Sequence, residues 1–568
     1  MKRYGEALSA AAAMVLALAL AVVVLELWNA DLRAPFAYTG DATLNLLFIK
    51  NVLENPWHFE NSSLGAPNGL ELYDYPVIDG ETLNLLLFRV LGVGTSDPAL
   101  VMNLFFLLTF PLVALTAYIV LRRLPVSRGI ALVVALLYAF LPYHFQRGEV
   151  HLFLAAYYAV PLGAYLALAV FRGDTLFGRW RPTLTTAVMC AVVATASGSG
   201  YYAVFTVLLV AVAALLAFLV RRERAALVAG GAVVAAIAAV FLLQLAPTLV
   251  YRAANGTNDE VAKRYWFESE NYSLRLTNLL LPVDGHRIGT LARWKDEYTT
   301  QIPQTEARSA TLGVVATLGF LWLVGVAVAA AAGAGRRYRL GLHAGLAVLT
   351  VVAVLLATTG GFSTFLAVVW PQIRSWNRLS VFIAFFSLAA VALLLGQLER
   401  RLRTPVFAAL LAGVLAVGVY DQTTKAYVPA YDAVEAAWRA DDAFFSRLDD
   451  QLPSGAMVVQ VPYEPFPEPP QGAFMGGYEP AKAYLHADEE LRWTWGAMRG
   501  RSDDWAATVA GKPAAEVVSA ARREGFTGIL LDRAALGQAA PATEAAFRVA
   551  VGNGPAQISN GRYVLFRL

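Results

Sequence analysis

One cysteine, Cys190, stands in the whole 568-residue chain, and it lies inside an apolar run. That excludes a disulfide framework and any cysteine-based metal site. Charge is scarce too: 15% of residues are Asp, Glu, Lys or Arg, where soluble globular proteins carry roughly 25%. The sequence holds no Walker A phosphate loop, which excludes an ATP-driven pump of that kind, and no HExxH metal signature. There is no GxSxG nucleophile elbow. Nor is there an intramembrane chain of Asp, Glu and Lys such as proton-coupled transport often shows. Collagen-like, coiled-coil and disordered compositions are absent as well.

What is present is hydrophobicity, 58% of residues. Up to about residue 420, apolar stretches alternate with short polar loops, and beyond that the text reads like a soluble domain. The N-terminal apolar core at 7–27 is longer than a secretory signal's and lacks a convincing cleavage site, so it reads as a retained first span. Since about 20 apolar residues are needed to cross the hydrocarbon core, we read about eleven spans. They fall near 7–27, 100–121, 129–145, 152–171, 183–197, 201–220, 226–249, 311–333, 341–358, 377–397 and 404–420.

Cytoplasmic loops retain Lys and Arg, and here every second connection is basic. The basic ends carry Lys2 and Arg3; Arg122, Arg123 and Arg128; and Arg172, Arg179 and Arg181. They continue with Arg221, Arg222 and Arg224; Arg336, Arg337 and Arg339; and Arg400, Arg401 and Arg403. The intervening SGSG and TTGGFS connections have none. The alternation predicts a cytoplasmic N-terminus and a C-terminus outside. The expected fold is therefore a polytopic α-helical membrane protein with a C-terminal extracytoplasmic α/β domain. Residues 1–420 form the membrane part with outer loops 29–99 and 250–310, and residues 421–568 form the outer domain. Within that domain, AYDAVEAAWRADDAFFSRLDDQL is helix-like, while MVVQVPY, TGILLDR and RYVLFRL read as strands.

The outer segments carry the candidate chemistry. In the first, Gly40-Asp41 precedes an amphipathic stretch with Leu44, Leu47, Phe48 and Leu53 at helical spacing. That stretch suits the membrane surface or a place against the bundle, and Asp41 either caps it or projects into a cleft. Asp74, Asp79 and Glu81 follow among prolines, glycines and tyrosines. Acids gathered in one such loop can position a base or a cation, and they equally suit a solvated loop. The next short loop holds His144, Arg147, Glu149 and His151, ionisable residues at a span end and thus functional candidates by position. In the third, His286 and Arg287 belong to a basic set suited to a phosphate, as do Arg374 and Arg378 at the start of a later span. Arginines and aromatics at span ends are also ordinary interfacial anchors. In the C-terminal part, Tyr484, His486, Arg492, Trp493 and Trp495 are of types that bind a sugar and equally of types that pack.

Taken together, Gly40-Asp41 after the first span, Glu149 in the second outer loop, and the strings LGAPNGLELYDYPVID, FQRGEVHLFLAAYYAVP, LLLPVDGH and LRWTWGAMRGR resemble a bacterial branch of the GT-C superfamily of membrane glycosyltransferases. The architectural resemblance covers nearly the whole chain. The chain departs from the family where Ala42 follows Asp41 in place of an Asp-Glu pair.

The resemblance implies a hexosyl- or pentosyltransferase of cell-envelope glycan biosynthesis in the inner (plasma) membrane, its outer domain periplasmic or extracellular. It would move a sugar from a polyprenyl-phosphate-linked donor to a glycan, lipid or protein acceptor. Asp41 would be the general base and Glu149 a second catalytic acid. Asp74, Asp79, His151, Arg147, His286, Arg287, Arg374 and Arg378 would contact substrates. Whether a divalent cation (Mg or Mn) takes part is left open, as are the sugar, the acceptor and the lipid carrier. A transporter or lipid flippase accounts for the spans but not for the large outer segments. A non-catalytic envelope-assembly protein would not need Asp41 and Glu149 in one cavity.

Overall fold

The computed structural model describes residues 2–178, 181–333, 341–469, 477–487, 490–552 and 558–568. Arg179, Arg336, Arg337 and Arg339 of the basic connections lie outside the described residues. Among those described, nine helices are long and apolar enough to cross a membrane. They are Tyr4–Val24, Pro98–Leu121, Arg128–Arg147, Leu152–Arg172, Tyr201–Arg221, Arg224–Gln244, Val314–Ala331, Trp376–Glu399 and Thr404–Gln422. Leu184–Thr195 and Gly341–Ala357 are apolar but shorter. In hydrocarbon a backbone must satisfy its own hydrogen bonds, which is why such runs are helical. The protein is thus a multi-pass membrane protein.

Helix ends follow local chemistry. Asp97 caps Pro98–Leu121 by accepting from the N–H groups of Ala99 and Leu100. Pro142 breaks Arg128–Arg147 into a long piece ending at Ala139 and a short one, Pro142–Arg147. The SGSG connection turns through Gly198, Ser199 and Gly200, all at positive φ. Glu81 clamps that turn, accepting from Ser197 Oγ at 3.0 Å, the Ser199 N–H at 2.6 Å and Asn84 Nδ2 at 2.6 Å. Burial pushes the Glu81 carboxyl up to about 8 against those hydrogen bonds.

After the first helix, α1 (Lys2–Val24), the chain reaches α2 (Asp41–Glu54). The sequence left open whether α2 lies on the membrane surface or against the bundle. It is buried from Ala42 through Val52, between helix Pro98–Leu121 and helix Ala481–His486. Its longer polar side chains tolerate burial because each finds a carbonyl, while the Thr43 hydroxyl is buried without a partner. Asn45 Nδ2 donates to Glu149 O (2.8 Å), Asn51 Nδ2 to His58 O (2.8 Å) and Lys50 Nζ to Tyr484 O (2.7 Å). Further along the loop, β1 (Glu60–Asn61) and β2 (Leu70–Glu71) form a short antiparallel pair.

From Tyr431 the chain forms helix Tyr431–Asp449 and then a mixed sheet. Its strands are β3 (Met457–Val461), β4 (Arg492–Trp493), β5 (Gly528–Asp532), β6 (Ile558–Ser559) and β7 (Tyr563–Arg567), in the order β4-β3-β5-β7-β6. β3 runs parallel to β4 and β5, while β7 is antiparallel to β5 and β6. The two-residue alternation of strands divides the sheet between two cores. Val459, Ile529, Leu531, Val564 and Phe566 pack with Val517, Ala521 and Phe547. Val458, Leu530 and Leu565 face the other way and join Phe444, Phe445 and the main core of the membrane part.

Candidate active site

Gly40 has φ +55° and ψ −133°, a conformation suited to glycine, and it brings the chain into α2 with Asp41 as the first helical residue. Asp41 makes no side-chain cap to its own helix; Gly40 holds the cap position. The aspartate instead lines a cavity of about 1130 Å³ with half of its side-chain surface open. Of the two readings the sequence allowed, projection into a cleft is the one observed.

This cavity is amphiphilic. One wall is apolar, built by Val204, Leu208, Ile237, Phe241, Leu242 and Leu245 from helices Tyr201–Arg221 and Arg224–Gln244 and the residue after them. The other end gathers Arg252, Arg264, Arg374 and Arg378 against Asp41, Glu306 and Glu468, four guanidiniums to three carboxylates. His151 lies beside Asp41, its Nε2 3.8 Å from Oδ2. That is beyond hydrogen-bond distance.

The charges are held by one another. Glu306 bridges Arg147 Nη1 (2.7 Å) and Arg378 Nη2 (3.0 Å), and Arg378 stacks over Tyr201 at 4.1 Å. Arg374 pairs with Glu268 at 2.9 Å, and Arg264 pairs with Glu468. Burial pushes the Asp41 carboxyl up to about 6, helped by the Glu306 and Glu468 charges and opposed by Arg378 and Arg374. Burial would raise Glu306 as well, but the guanidiniums of Arg378 and Arg147 outweigh it and hold that carboxyl well below the usual range. Burial, with the Arg147 charge, drops His151 to about 3, so its ring is neutral at physiological pH.

The structure therefore brings Asp41, His151, Arg374 and Arg378 to one cavity, with Arg147 a layer behind Glu306. The remaining sequence candidates lie elsewhere. Glu149 does not line this cavity; its Oε2 accepts the Ala37 N–H at 2.9 Å, its Oε1 is buried without a partner, and burial raises its carboxyl to about 8. Asp74 is buried and grips Arg501 at 2.6 and 2.9 Å. Asp79 joins His58 (3.2 Å) to Thr248 (2.7 Å). His286 faces Asp421 at 3.3 Å, and Arg287 donates to the carbonyls of Tyr420 and Thr423 at the end of helix Thr404–Gln422. Of the aromatic set, Trp493 and Trp495 are core residues.

Glu306, Arg264 and Glu468 were not singled out from the sequence. The rule that marks ionisable residues at a span end applies to Glu306, just ahead of an apolar run. Nothing local marks Arg264 or Glu468, which meet only through the fold. A divalent cation finds no ready cage here. Among the described residues no three His, Cys, Asp or Glu side chains converge to hold one, and Glu306 and Glu468 are engaged by guanidiniums.

Among solved structures, ArnT from Cupriavidus metallidurans bound to undecaprenyl phosphate aligns with a TM-score of 0.52 at 12% identity, covering 97% of each chain. The chain thus shares the fold of that protein. AglB, the Archaeoglobus fulgidus oligosaccharyltransferase, covers 99% of this chain and 75% of its own, at 11% identity and TM-score 0.43. The mycobacterial arabinofuranosyltransferase AftD covers 94% of this chain and 35% of its own, at 18% identity and TM-score 0.45. Residues 10–423 match the family described as a domain of unknown function, DUF6311, and the chain belongs to that family. No curated protein matches it.

Proposed function

We propose that this protein is a membrane glycosyltransferase that moves a sugar from a polyprenyl-phosphate-linked donor to an acceptor outside the cytoplasm, with Asp41 as general base. The observation that carries the reading is the half-open Asp41 carboxylate at the charged end of a cavity whose other wall is apolar and built from membrane helices. Such a shape suits a lipid phosphate: the chain lies along Leu208, Ile237 and Leu242, and the headgroup meets Arg374 and Arg378. In this reading Leu184–Thr195 and Gly341–Ala357 complete a set of eleven spans, and the arginine alternation supports a cytoplasmic N-terminus with the cavity and a C-terminal α/β domain (421–568) outside the plasma membrane. Nucleotide sugars are not found there, so a lipid-borne donor is the coherent partner.

In the reaction, Asp41 takes the proton from an acceptor hydroxyl. The freed oxygen bonds the anomeric carbon, and the bond from that carbon to the phosphate oxygen breaks. The electron pair leaves with the lipid phosphate, whose charge Arg374 and Arg378 stabilise. Glu306 keeps Arg378 and Arg147 aligned. Glu149 acts as a positioning residue, fixing the backbone at Ala37 that leads into Gly40 and Asp41.

A carboxylate base contributes about 10²- to 10⁴-fold in rate. Purified Asp41→Asn, assayed with a polyprenyl-phosphate sugar, should lose that factor while unfolding at the wild-type temperature. Wild-type turnover by this variant overturns the assignment.

A further inference from the structure

A second cavity, of about 440 Å³, opens at the other end of α2, between its last turn, the segment after α1 and helix Tyr431–Asp449. It contains none of the residues assigned above to the transferase chemistry. Along α2, Asp41 and Lys50 are nine positions apart, about 14 Å at 1.5 Å per residue. The two cavities are separate sites joined by one rigid helix.

The floor is aromatic and fixed. Trp438 and His486 lie with ring centroids 4.2 Å apart, and Tyr38 meets Trp438 edge-on at 5.0 Å. The His486 side chain is 1% exposed although it lines the cavity, and Tyr38 Oη sits 2.7 Å from its Nε2. Lys50, itself part of the lining, braces the wall by donating to the carbonyls of Tyr484 and Ala487 at 2.7 and 2.9 Å. A surface built this way holds its shape without a ligand.

The rim decides what it holds. Arg439 pairs with Asp31 at 2.8 Å and Arg33 with Asp97 at 3.3 Å, while Asp442 reaches His486 at 3.3 Å. The outer ends stay in solvent: Arg33 is 69% exposed, Arg439 64% and Asp442 59%. An anion entering here meets Asp31, Asp97, Asp442 and Glu54 against Arg33, Arg439 and Lys50, four carboxylates to three cations. That is the reverse of the Asp41 cavity. A neutral ligand rich in hydroxyls matches it: each hydroxyl donates to a carboxylate and accepts from a guanidinium, and its apolar face lies on an aromatic ring.

We propose that this cavity binds a neutral oligosaccharide. That it holds the non-reacting end of a glycan acceptor rests on the transferase reading; the binding itself does not. Full-length protein in lipid nanodiscs should be titrated with a panel of neutral linear tri- to hexasaccharides of glucose, mannose, galactose and arabinose, followed by saturation-transfer NMR. Arg33→Ala and Asp442→Asn alter exposed side chains, so they leave the fold intact. Binding of at least one panel member at millimolar Kd or tighter, weakened about tenfold by each variant, a loss near 1.4 kcal/mol, and unchanged in Asp41→Asn supports the site. No binding by the wild type, binding indifferent to both variants, or displacement by inorganic phosphate overturns it. Absence of glycosyl transfer by the wild type would remove the transferase reading and leave this result standing.

Discussion

Asp41 and His151 face each other at 3.8 Å across the charged end of the cavity, too far apart to share a hydrogen bond and with the imidazole neutral. The carboxylate is therefore not tied up by its neighbour, and a hydroxyl can approach it. Its raised pKa sets the pH behaviour. A base works only when deprotonated, so activity should be full above the shifted value of about 6 and fall as pH drops through it. At pH 5, kcat/KM should be about tenfold below its plateau, one pH unit being one decade. A pH–rate profile of the purified enzyme checks this. An acid limb near pH 4, the ordinary aspartate range, would mean that Asp41 is not the group titrating.

Glu306 is the only carboxylate contacting both Arg147 and Arg378 among the described residues. Neutralising it leaves two buried guanidiniums without their counter-charge, a situation that costs about 3 kcal/mol or more when one partner of a buried pair is removed. Glu306→Gln should lower the unfolding temperature and reduce turnover together, with Glu306→Asp recovering part of both. Because the arginines hold the Glu306 carboxyl low, its contribution to stability is present above about pH 4.5. It is lost only as pH falls further, toward the folded value. The gap in unfolding temperature between wild type and Glu306→Gln should therefore be full at about pH 5 to 7 and only begin to narrow toward about pH 3.

The apolar wall makes a prediction about substrate length. Leu208 and Leu242 line the cavity, and Leu242 is 54% exposed. Tryptophan at either position fills volume along the proposed lipid path without touching the charged end. Leu242→Trp should raise KM for a long-chain polyprenyl donor about tenfold and alter KM for a short-chain analogue far less. Equal effects on both donors would place the lipid elsewhere.

How much of this was legible follows from which interactions are local. Apolar runs and the arginine alternation are properties of single segments, and the long helices lie where the runs do. Gly40-Asp41 was visible because a flexible residue and a helix start stand next to each other. The pairing of Glu306 with Arg147 and Arg378 joins three segments far apart in the chain, and no spacing rule reports it. Glu149 shows the opposite difficulty. It is near Asp41, since Asn45 of the same helix donates to its carbonyl, but its side chain turns to Ala37. Sequence can bring a residue to the right neighbourhood without fixing its rotamer.

Asp74 tests the difference between an acid that binds substrate and one that holds the fold. It is 2% exposed, grips Arg501 through both oxygens and receives Asn258 Nδ2 at 3.2 Å. Arg501 in turn donates to the carbonyls of Asn255 and Gly256. The first outer loop, the segment after helix Ala246–Asn255 and the C-terminal region thus meet at one carboxylate. Removing it leaves Arg501 partly buried without its counter-charge, and Asp74→Ala should cost about 3 kcal/mol. Near-wild-type activity should persist at low temperature in whatever fraction remains folded, with KM for donor unchanged. Asp41→Asn should do the reverse, keeping stability and losing turnover. Measuring unfolding temperature and kcat for both separates the roles; a stable but inactive Asp74→Ala would move Asp74 into the substrate site.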